Sequence, residues 1–283
     1  MTENRPDRLR AVAEQLAGEA AEFARRRRAE IFGAGPDSGA AGSVASKSTP
    51  TDPVTIADTE TERLLRDRLE VLRPGEPILG EEGGGPDGVD DGGVCWVVDP
   101  IDGTVNFVYG IPAYSVSVAA QVDGVSVAGA VADVVSGDVY SAAAGHGAHV
   151  LRGGERRALH CTAVDELAMS LVGTGFGYAP RRRAAQAELL TGILPLVRDV
   201  RRIGSAALDL CMVAEGRLDA HYEHGLHVWD WAAAALVAAE AGAKVRLPGA
   251  GDGEGGLLVA AAPGIAAQLI DALDQLGGLS PLE

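Results

Sequence analysis

Two aspartates, separated by two residues, stand in the segment DPIDGT at residues 99–104, at the end of a predicted strand over residues 94–99. Proline fixes one backbone angle and glycine permits an unusual one, so the turn can direct Asp99, Asp102 and the Ile101 carbonyl toward one point. Oxygen ligands of this kind are preferred by Mg²⁺, Ca²⁺ and Mn²⁺. The turn therefore predicts a divalent-cation site, although two aspartates at this spacing alone are more often the capped start of a helix.

Three further acidic segments lie where predicted elements begin or end. GEEG at residues 80–83 follows the apolar residues 77–79, WDW at residues 229–231 precedes the apolar run 232–239, and Asp58 begins a predicted helix. Each segment alone is usually a solvated loop or a helix cap. Together with the DPIDGT turn they form a set of carboxylates at the ends of elements, where functional sites are built on a rigid scaffold.

The elements that must position these carboxylates are predicted from the spacing of apolar residues and from turn residues. Strands grouped first, and alternating with helices later, predict an α+β half over about residues 1–165 packed on an α/β half over about residues 166–283. A hairpin is predicted around Asp123-Gly124, a dipeptide that favours tight turns. Helices are predicted over residues 5–31, 57–72, 184–194, 206–214, 231–241 and 264–276, and strands over residues 94–99, 114–122, 125–135, 138–143, 148–151, 170–174, 218–222 and 257–261.

The composition argues against several classes of protein. The chain has 283 residues, of which 47% are hydrophobic, enough for one large domain or two closely packed smaller ones. Its formal net charge of −16 argues against nucleic acid and anionic membranes as partners and favours cations and small molecules. No stretch approaches the roughly 18 apolar residues of a membrane span, and the first residues lack the apolar core of a signal peptide. Three scattered cysteines without a CxxC pair predict reduced thiols in a cytoplasm.

The chain also contains two glycine-rich segments and a regularly spaced series of histidines. Residues 33–48 predict a mobile connection, and residues 83–93 predict a flexible flap that lacks the lysine and spacing of a phosphate-binding P-loop. His221, His224 and His227 recur every three residues across a predicted strand end, where this spacing does not place side chains on one face. We therefore do not predict a zinc site from them.

The acidic segments, in this order and at this approximate spacing, resemble the inositol monophosphatase family. Its motifs match from about residue 47 to residue 243, and the closest resemblance is to bacterial members. Members of the family usually have the motif WD-x-A-[AG]-G, whereas this chain has alanine at residues 232–235 and lacks the glycine. We expect this departure to alter packing rather than abolish metal binding. The matching segments are Lys47, the DPVT-x-AD segment ending at Asp58, GEE at 80–82, DPIDGT followed by Asn106-Phe107, RIGSAALD at 202–209, and WD at 229–230 after Glu223.

The resemblance implies an α+β fold, a layered αβαβα sandwich formed by residues 1–283 as a single domain. It implies a Mg²⁺-dependent phosphomonoesterase that hydrolyses inositol 1-phosphate to myo-inositol and phosphate by direct attack of a metal-activated water. A homodimer and inhibition by lithium are further family expectations. Histidinol phosphate, fructose 1,6-bisphosphate and 3′-phosphoadenosine 5′-phosphate stay open as substrates of the same chemistry, because specificity depends on a few loop residues. A non-catalytic, cation-binding regulatory protein is the second alternative.

The resemblance also assigns roles to individual residues. A pair formed by Asp58 and Thr104 would lie beside the attacking water, which Glu81 would help to position or deprotonate. Two or three Mg²⁺ ions would be held by Glu81, Asp99, the Ile101 carbonyl, Asp102 and Asp230. The substrate would be bound by Asp102, Gly103, Thr104, Gly204, Ser205, Ala206, Glu223 and Asp230.

Overall fold

Two β-sheets and the helices on and between them form five layers in the order helix, sheet, helix, sheet, helix. The computed structural model describes residues 4–33, 44–46, 53–86, 92–249 and 251–282. The predicted layered α+β sandwich is therefore confirmed. Lys47 and much of the two glycine-rich segments lie outside the described residues.

The first layer consists of two helices, α1 (Pro6–Phe32) and α2 (Ile56–Leu72). The apolar spacing that predicted α1 puts Leu9 and Leu16 on its buried face, packed against the first sheet. Gly33 ends the helix at a positive φ of 61°, which glycine adopts without steric cost. The chain then forms a short antiparallel pair, β1 (Val44–Ser46) and β2 (Pro53–Thr55). β1 lies within the stretch predicted to be only a connection.

The second layer is a seven-stranded sheet in the order β3-β4-β5-β6-β7-β8-β9. β3 pairs in parallel with β4, and all other neighbours are antiparallel. The predicted hairpin is confirmed, with Asp123 and Gly124 at φ values of 50° and 74°. The strands are β3 (Ile78–Gly80), β4 (Val94–Asp102), β5 (Ser115–Val122), β6 (Val125–Asp133), β7 (Val139–Ala143), β8 (Ala148–Arg152) and β9 (Glu155–Ala158), and the short helix α3 (Thr104–Tyr109) follows β4.

The remaining layers are built around a five-stranded sheet in the order β11-β10-β12-β14-β13. Its strands are β10 (Leu171–Thr174), β11 (Asp199–Arg201), β12 (Ala220–His224), β13 (Lys244–Arg246) and β14 (Leu257–Ala261). The helices α5 (Ala206–Ala214) and α6 (Val228–Glu240) lie between the sheets, because one apolar cluster joins them to strands of both. The helices α4 (Pro180–Ile193) and α7 (Ala266–Gln275) cover the outer face.

The predicted long elements are found within a few residues of their expected bounds, whereas α3 and the short strands β1, β2, β9, β11 and β13 were not predicted. All three cysteines are free, and Cys95 and Cys211 are buried. Within the described ranges, every helix is too short or too polar to cross a membrane.

Candidate active site

The turn after β4 directs its side chains through local hydrogen bonds. Oδ1 of Asp99 accepts from the backbone N–H of Ile101 at 2.9 Å, which closes the turn around the first carboxylate. Gly103 precedes α3 at a φ of +93°. A Cβ atom there would lie 3.0 Å from the carbonyl oxygens of both Ala113 and Gly204. Glycine is therefore required at this position both by the backbone angle and by the close approach of two other segments.

Three carboxylates from two distant parts of the chain meet at this turn. Asp99, Asp102 and Asp230 each offer one oxygen, and these oxygens lie within 4.8 Å of one another. Asp230 is the third residue of α6, where its Oδ2 accepts from the backbone N–H of His227 at 2.7 Å. The helix start thus holds Asp230 in place opposite the β4 turn. The structure brings together the DPIDGT and WD segments that the sequence singled out.

Simultaneous ionisation of the three carboxyl groups in this cluster is unfavourable. Burial, together with the charges of Glu81 and the neighbouring aspartates, holds the pKa of Asp99 and of Asp230 well above the usual range. Burial also raises the pKa of Asp102 to about 6, although hydrogen bonds from Ser205 and from a backbone amide oppose the rise. In the described part of the chain, no arginine or lysine forms an ion pair with these aspartates. Buried, unneutralised oxygen donors fit a hard divalent cation such as Mg²⁺.

Glu81 lies at the end of β3 and lines the same cavity as the three aspartates. Its turn is held by a residue that sequence reasoning missed, the buried Glu62 of α2. The carboxylate of Glu62 accepts from the backbone N–H groups of Glu82 at 2.7 Å and Gly83 at 2.8 Å. Arg66 pairs with the same carboxylate at 2.8 Å. The only sequence signal for Glu62 was its four-residue spacing from Arg66 on a predicted helix.

Asp58 and Thr104 form the hydrogen-bonded pair that the resemblance implied. The Oγ1 hydroxyl of Thr104 lies 3.1 Å from Oδ1 of Asp58 and 3.1 Å from the carbonyl oxygen of Ile101. Thr55 precedes α2, and its backbone N–H donates to Oδ2 of Asp58 at 2.9 Å. Asp58 is completely buried. These bonds fix Thr104 between the first turn of α2 and the metal-ligand candidates of the β4 turn.

The substrate-binding candidates cluster at the start of α5. Ser205 precedes the helix, and its Oγ accepts from the backbone N–H of Leu208 at 3.3 Å while its hydroxyl donates to Asp102. Gly204 has a φ of +95°, and a Cβ atom there would lie 2.4 Å from the guanidinium of Arg202. The Ser205 side chain is therefore held between the Asp102 carboxylate and the first turn of α5.

A cavity of about 530 Å³ joins these groups. All predicted site residues line it except Asp58, which lies behind Thr104. Sequence reasoning did not assign several other lining residues to the site, because they come from loops or from the first turn of α4 and belong to no distinctive pattern: Phe176, Tyr178, Arg182, Leu226 and His227.

The three histidines set aside in the sequence have different surroundings. His221 is buried beside Asp209 and Glu223. His224 is buried, and its Nε2 lies 2.8 Å from the carbonyl oxygen of Gly278. His227 stacks on the Trp229 ring with the centroids 4.9 Å apart.

Comparison with known proteins identifies the class of enzyme. The family model described as "Inositol monophosphatase family" matches residues 5–277. The chain therefore belongs to the inositol monophosphatase family and is a phosphoric monoester hydrolase.

Individual relatives agree with this assignment. The chain is 65% identical over 285 residues to "Inositol-1-monophosphatase SuhB" of Mycobacterium tuberculosis strain H37Rv, which covers 99% of this chain and 98% of the relative. The solved structure "Mycobacterium tuberculosis SuhB" is 60% identical and superposes with a TM-score of 0.83, covering 98% of this chain and 100% of that chain. "Nus factor SuhB" of Pasteurella multocida is 37% identical over 228 residues, 80% of this chain and 83% of the relative.

Proposed function

We propose that this enzyme hydrolyses inositol 1-phosphate to myo-inositol and phosphate and that it requires Mg²⁺. The observation that carries the proposal is the convergence of Asp99, Asp102 and Asp230 within 4.8 Å in a cavity that Glu81 also lines. Such a set of buried carboxylates is unfavourable in itself and suits a site that is completed by cations. The name "inositol-1-monophosphatase" of a relative at 65% identity supports the choice of substrate.

The metal requirement follows from the donor set. Glu81, Asp99, the Ile101 carbonyl, Asp102 and Asp230 would hold two or three Mg²⁺ ions. When bound, these ions would polarise the phosphate ester, favour ionisation of the attacking water and neutralise the leaving oxygen. The surrounding carboxylates repel a phosphate dianion on their own, so cation binding precedes or accompanies substrate binding.

Protein groups position the attacking water. When the Thr104 hydroxyl donates its proton to Asp58, 3.1 Å away, its oxygen lone pairs are free to accept a hydrogen bond from a water molecule. A carboxylate at Glu81, on the same cavity, would accept the second hydrogen of that water or remove its proton. In this proposal water attacks directly, and Asp102, which accepts from the Ser205 hydroxyl, serves as a metal ligand and not as a base for that serine.

The phosphate and alcohol ends of the substrate would contact different groups. The backbone amides of Gly103 and Thr104 lie at the start of α3, where N–H groups attract anions. Glu223 lines the cavity from β12 and is an acceptor for alcohol hydroxyls. Gly204, Ser205 and Ala206 line it at the start of α5.

The proposal is tested by measuring kcat/KM for phosphate release from inositol 1-phosphate, histidinol phosphate, fructose 1,6-bisphosphate and 3′-phosphoadenosine 5′-phosphate at saturating Mg²⁺. We expect the highest value for inositol 1-phosphate. Preference for another ester would contradict the substrate but keep the chemistry. If none of the four esters is hydrolysed, the result would favour a non-catalytic, regulatory protein.

Family membership also leads us to propose a cytoplasmic homodimer that Li⁺ inhibits. Sedimentation velocity tests the dimer, and a Li⁺ titration of the hydrolysis rate at fixed Mg²⁺ tests the inhibition. A monomer at micromolar concentration would contradict the proposed dimer. A hydrolysis rate that does not change with Li⁺ would contradict the proposed inhibition.

A further inference from the structure

A buried row of three ionisable side chains lies directly behind the cavity. Oε2 of Glu223 lies 3.4 Å from Nε2 of His221, and Oδ2 of Asp209 lies 3.9 Å from Nδ1 of the same ring. The side chains of His221 and Asp209 are 0% and 1% exposed, whereas that of Glu223 is 12% exposed and reaches the cavity. The imidazole thus lies between a carboxylate that faces the substrate and one that is fully enclosed.

Two glycines, one on the neighbouring strand β10 and one directly after it, make room for this row. β10 pairs in parallel with β12, with Gly173 opposite His221. A Cβ atom at Gly173 would lie 3.0 Å from both Oδ1 of Asp209 and Nδ1 of His221, and one at Gly175 would lie 2.1 Å from the Glu223 carboxylate. Because residues two apart on β12 share a face, His221 and Glu223 lie side by side over these glycines. A side chain at either glycine would therefore collide with the row.

Neither ring nitrogen of His221 has a hydrogen-bond partner in the described part of the chain, so the imidazole contacts the two carboxylates as ion pairs, at 3.4 Å and 3.9 Å. Burial by itself lowers the pKa of His221, but the charges of Asp209, Glu223 and the more distant Asp102 outweigh it and raise the pKa. Burial raises the pKa of Asp209 to about 7, with His221 and Arg202 opposing the rise. A buried imidazole flanked by carboxylates on both nitrogens is stabilised in its charged form.

We propose that His221, backed by Asp209, is a positioning residue that holds one carboxylate oxygen of Glu223 and so presents the other to the alcohol hydroxyls of the substrate. The inference rests on the proposed function, because it assumes that Glu223 accepts hydroxyls of a polyol phosphate. A free glutamate side chain must be ordered each time it binds substrate. His221 removes that requirement and keeps Glu223 an acceptor, which favours hydroxyl-rich alcohols over other esters.

The test compares two substrates with and without hydroxyl groups, inositol 1-phosphate and 4-nitrophenyl phosphate, at saturating Mg²⁺. His221→Met removes both ring nitrogens at similar length, and we expect it to raise KM for inositol 1-phosphate about tenfold with little change in kcat. Its kinetics on 4-nitrophenyl phosphate should stay within about twofold of the wild-type protein. His221→Gln keeps a side-chain N–H and should restore much of the loss in KM.

A double-mutant cycle separates positioning from a structural effect. If His221 acts through Glu223, His221→Met adds no further loss of KM for inositol 1-phosphate in the Glu223→Gln background. Asp209→Asn, which removes the charge behind Nδ1 at constant volume, gives an independent measurement if His221→Met does not fold. It should raise KM for inositol 1-phosphate alone, by a smaller factor.

Failure of this inference differs from failure of the proposed function. Wild-type protein that hydrolyses 4-nitrophenyl phosphate but not inositol 1-phosphate would overturn the proposed substrate and the role of His221 together. If wild-type protein hydrolyses both, the role of His221 alone is overturned by an unchanged KM, by equal losses on both substrates, or by additive effects in the cycle.

Discussion

The backbone N–H of Ala207, in the first turn of α5, donates to Oδ2 of Asp102 at 2.8 Å. The N–H of Ala206 approaches the other oxygen, Oδ1, at 3.3 Å. Asp102 is the last residue of β4, and these two bonds connect it to the start of α5, the helix between the sheets. A negative charge is favoured at this position by the helix dipole. Asp102 is thus a structural anchor as well as a candidate metal ligand.

This relationship predicts that the same substitution has different effects at two of the aspartates. Asp99→Asn removes a buried like charge and keeps an oxygen for the amide of Ile101, so the melting temperature in EDTA at pH 7.5 should rise by at least about 2 °C. Asp102→Asn places an amide NH₂ among the donors Ser205, Ala206 and Ala207. Its melting temperature should therefore rise less than that of Asp99→Asn, or fall. Thermal unfolding by circular dichroism measures both, and an equal or reversed order would contradict the assigned bonding.

The raised carboxyl pKa values predict how stability depends on pH without metal. A carboxyl whose pKa is raised by folding binds more protons in the folded state, so its contribution to stability falls as pH rises from the unfolded pKa through the folded one. For Asp102, with a rise from 3.8 to about 6, the loss is on the order of 3 kcal/mol. The raised pKa of His221 acts in the same direction.

In EDTA, we therefore expect the melting temperature to fall between pH 5 and pH 7.5. Addition of Mg²⁺ should restore it, and by more at pH 7.5 than at pH 5, because protons compete with the cation for the same oxygens. Asp99→Asn should show a flatter profile. A melting temperature in EDTA that rises from pH 5 to pH 7.5, with a Mg²⁺ effect that does not depend on pH, would contradict the raised carboxyl pKa values.

The buried Glu62 predicts a link between α2 and metal affinity. Glu62→Ala leaves the amides of Glu82 and Gly83 without their acceptor, at a cost of about 2–4 kcal/mol in the free energy of unfolding. The loosened turn should displace Glu81 and raise the Mg²⁺ concentration for half-maximal hydrolysis several-fold. The exposed Glu70 on the same helix supplies the control, since Glu70→Ala should change stability by less than about 0.5 kcal/mol. An unchanged Mg²⁺ requirement in folded Glu62→Ala would argue against this role.

Gly129 of β6 allows α6 to pack closely against the first sheet at Ala233. A Cβ atom at Gly129 of β6 would lie 2.8 Å from the Cα atom of Ala233 on α6. Gly129→Ala should therefore push α6 away and cost about 1–3 kcal/mol, with weaker Mg²⁺ binding because α6 carries Asp230. Gly124→Ala, in the turn of the same hairpin, is the control variant. A Cβ atom at Gly124 would meet no neighbouring atom within 4 Å, and the positive φ there adds only local strain. Denaturant unfolding and the Mg²⁺ dependence of hydrolysis check the pair, and unaltered Mg²⁺ dependence in Gly129→Ala would count against the coupling.

Sequence reasoning found the long elements and the carboxylate set because both depend on local patterns. Apolar periodicity defined α1 and α2, and short motifs in a family order identified Asp99 and Asp230. The expectation that the alanines at residues 232–235 alter packing stays a prediction. The division of the chain near residue 165 stays a prediction.

What the sequence could not supply depends on tertiary contacts. β9 and β11 are three or four residues long and contain no buried residue, so no alternation marked them. Glu62 and His221 act through groups that are distant in sequence or on a neighbouring strand, and no spacing rule predicts such contacts. The structural role of Asp102 was missed for the same reason.

Asp99, Asp102 and Asp230 are proposed to hold Mg²⁺ that hydrolysis requires. The most direct test is the rate of phosphate release from inositol 1-phosphate after EDTA treatment and stepwise return of Mg²⁺, for wild-type protein and Asp99→Asn. We expect wild-type activity to vanish in EDTA and return with Mg²⁺, and folded Asp99→Asn to be at least about 100-fold slower at the same Mg²⁺ concentration. Activity that survives EDTA, or that is equal in Asp99→Asn, would contradict the claim.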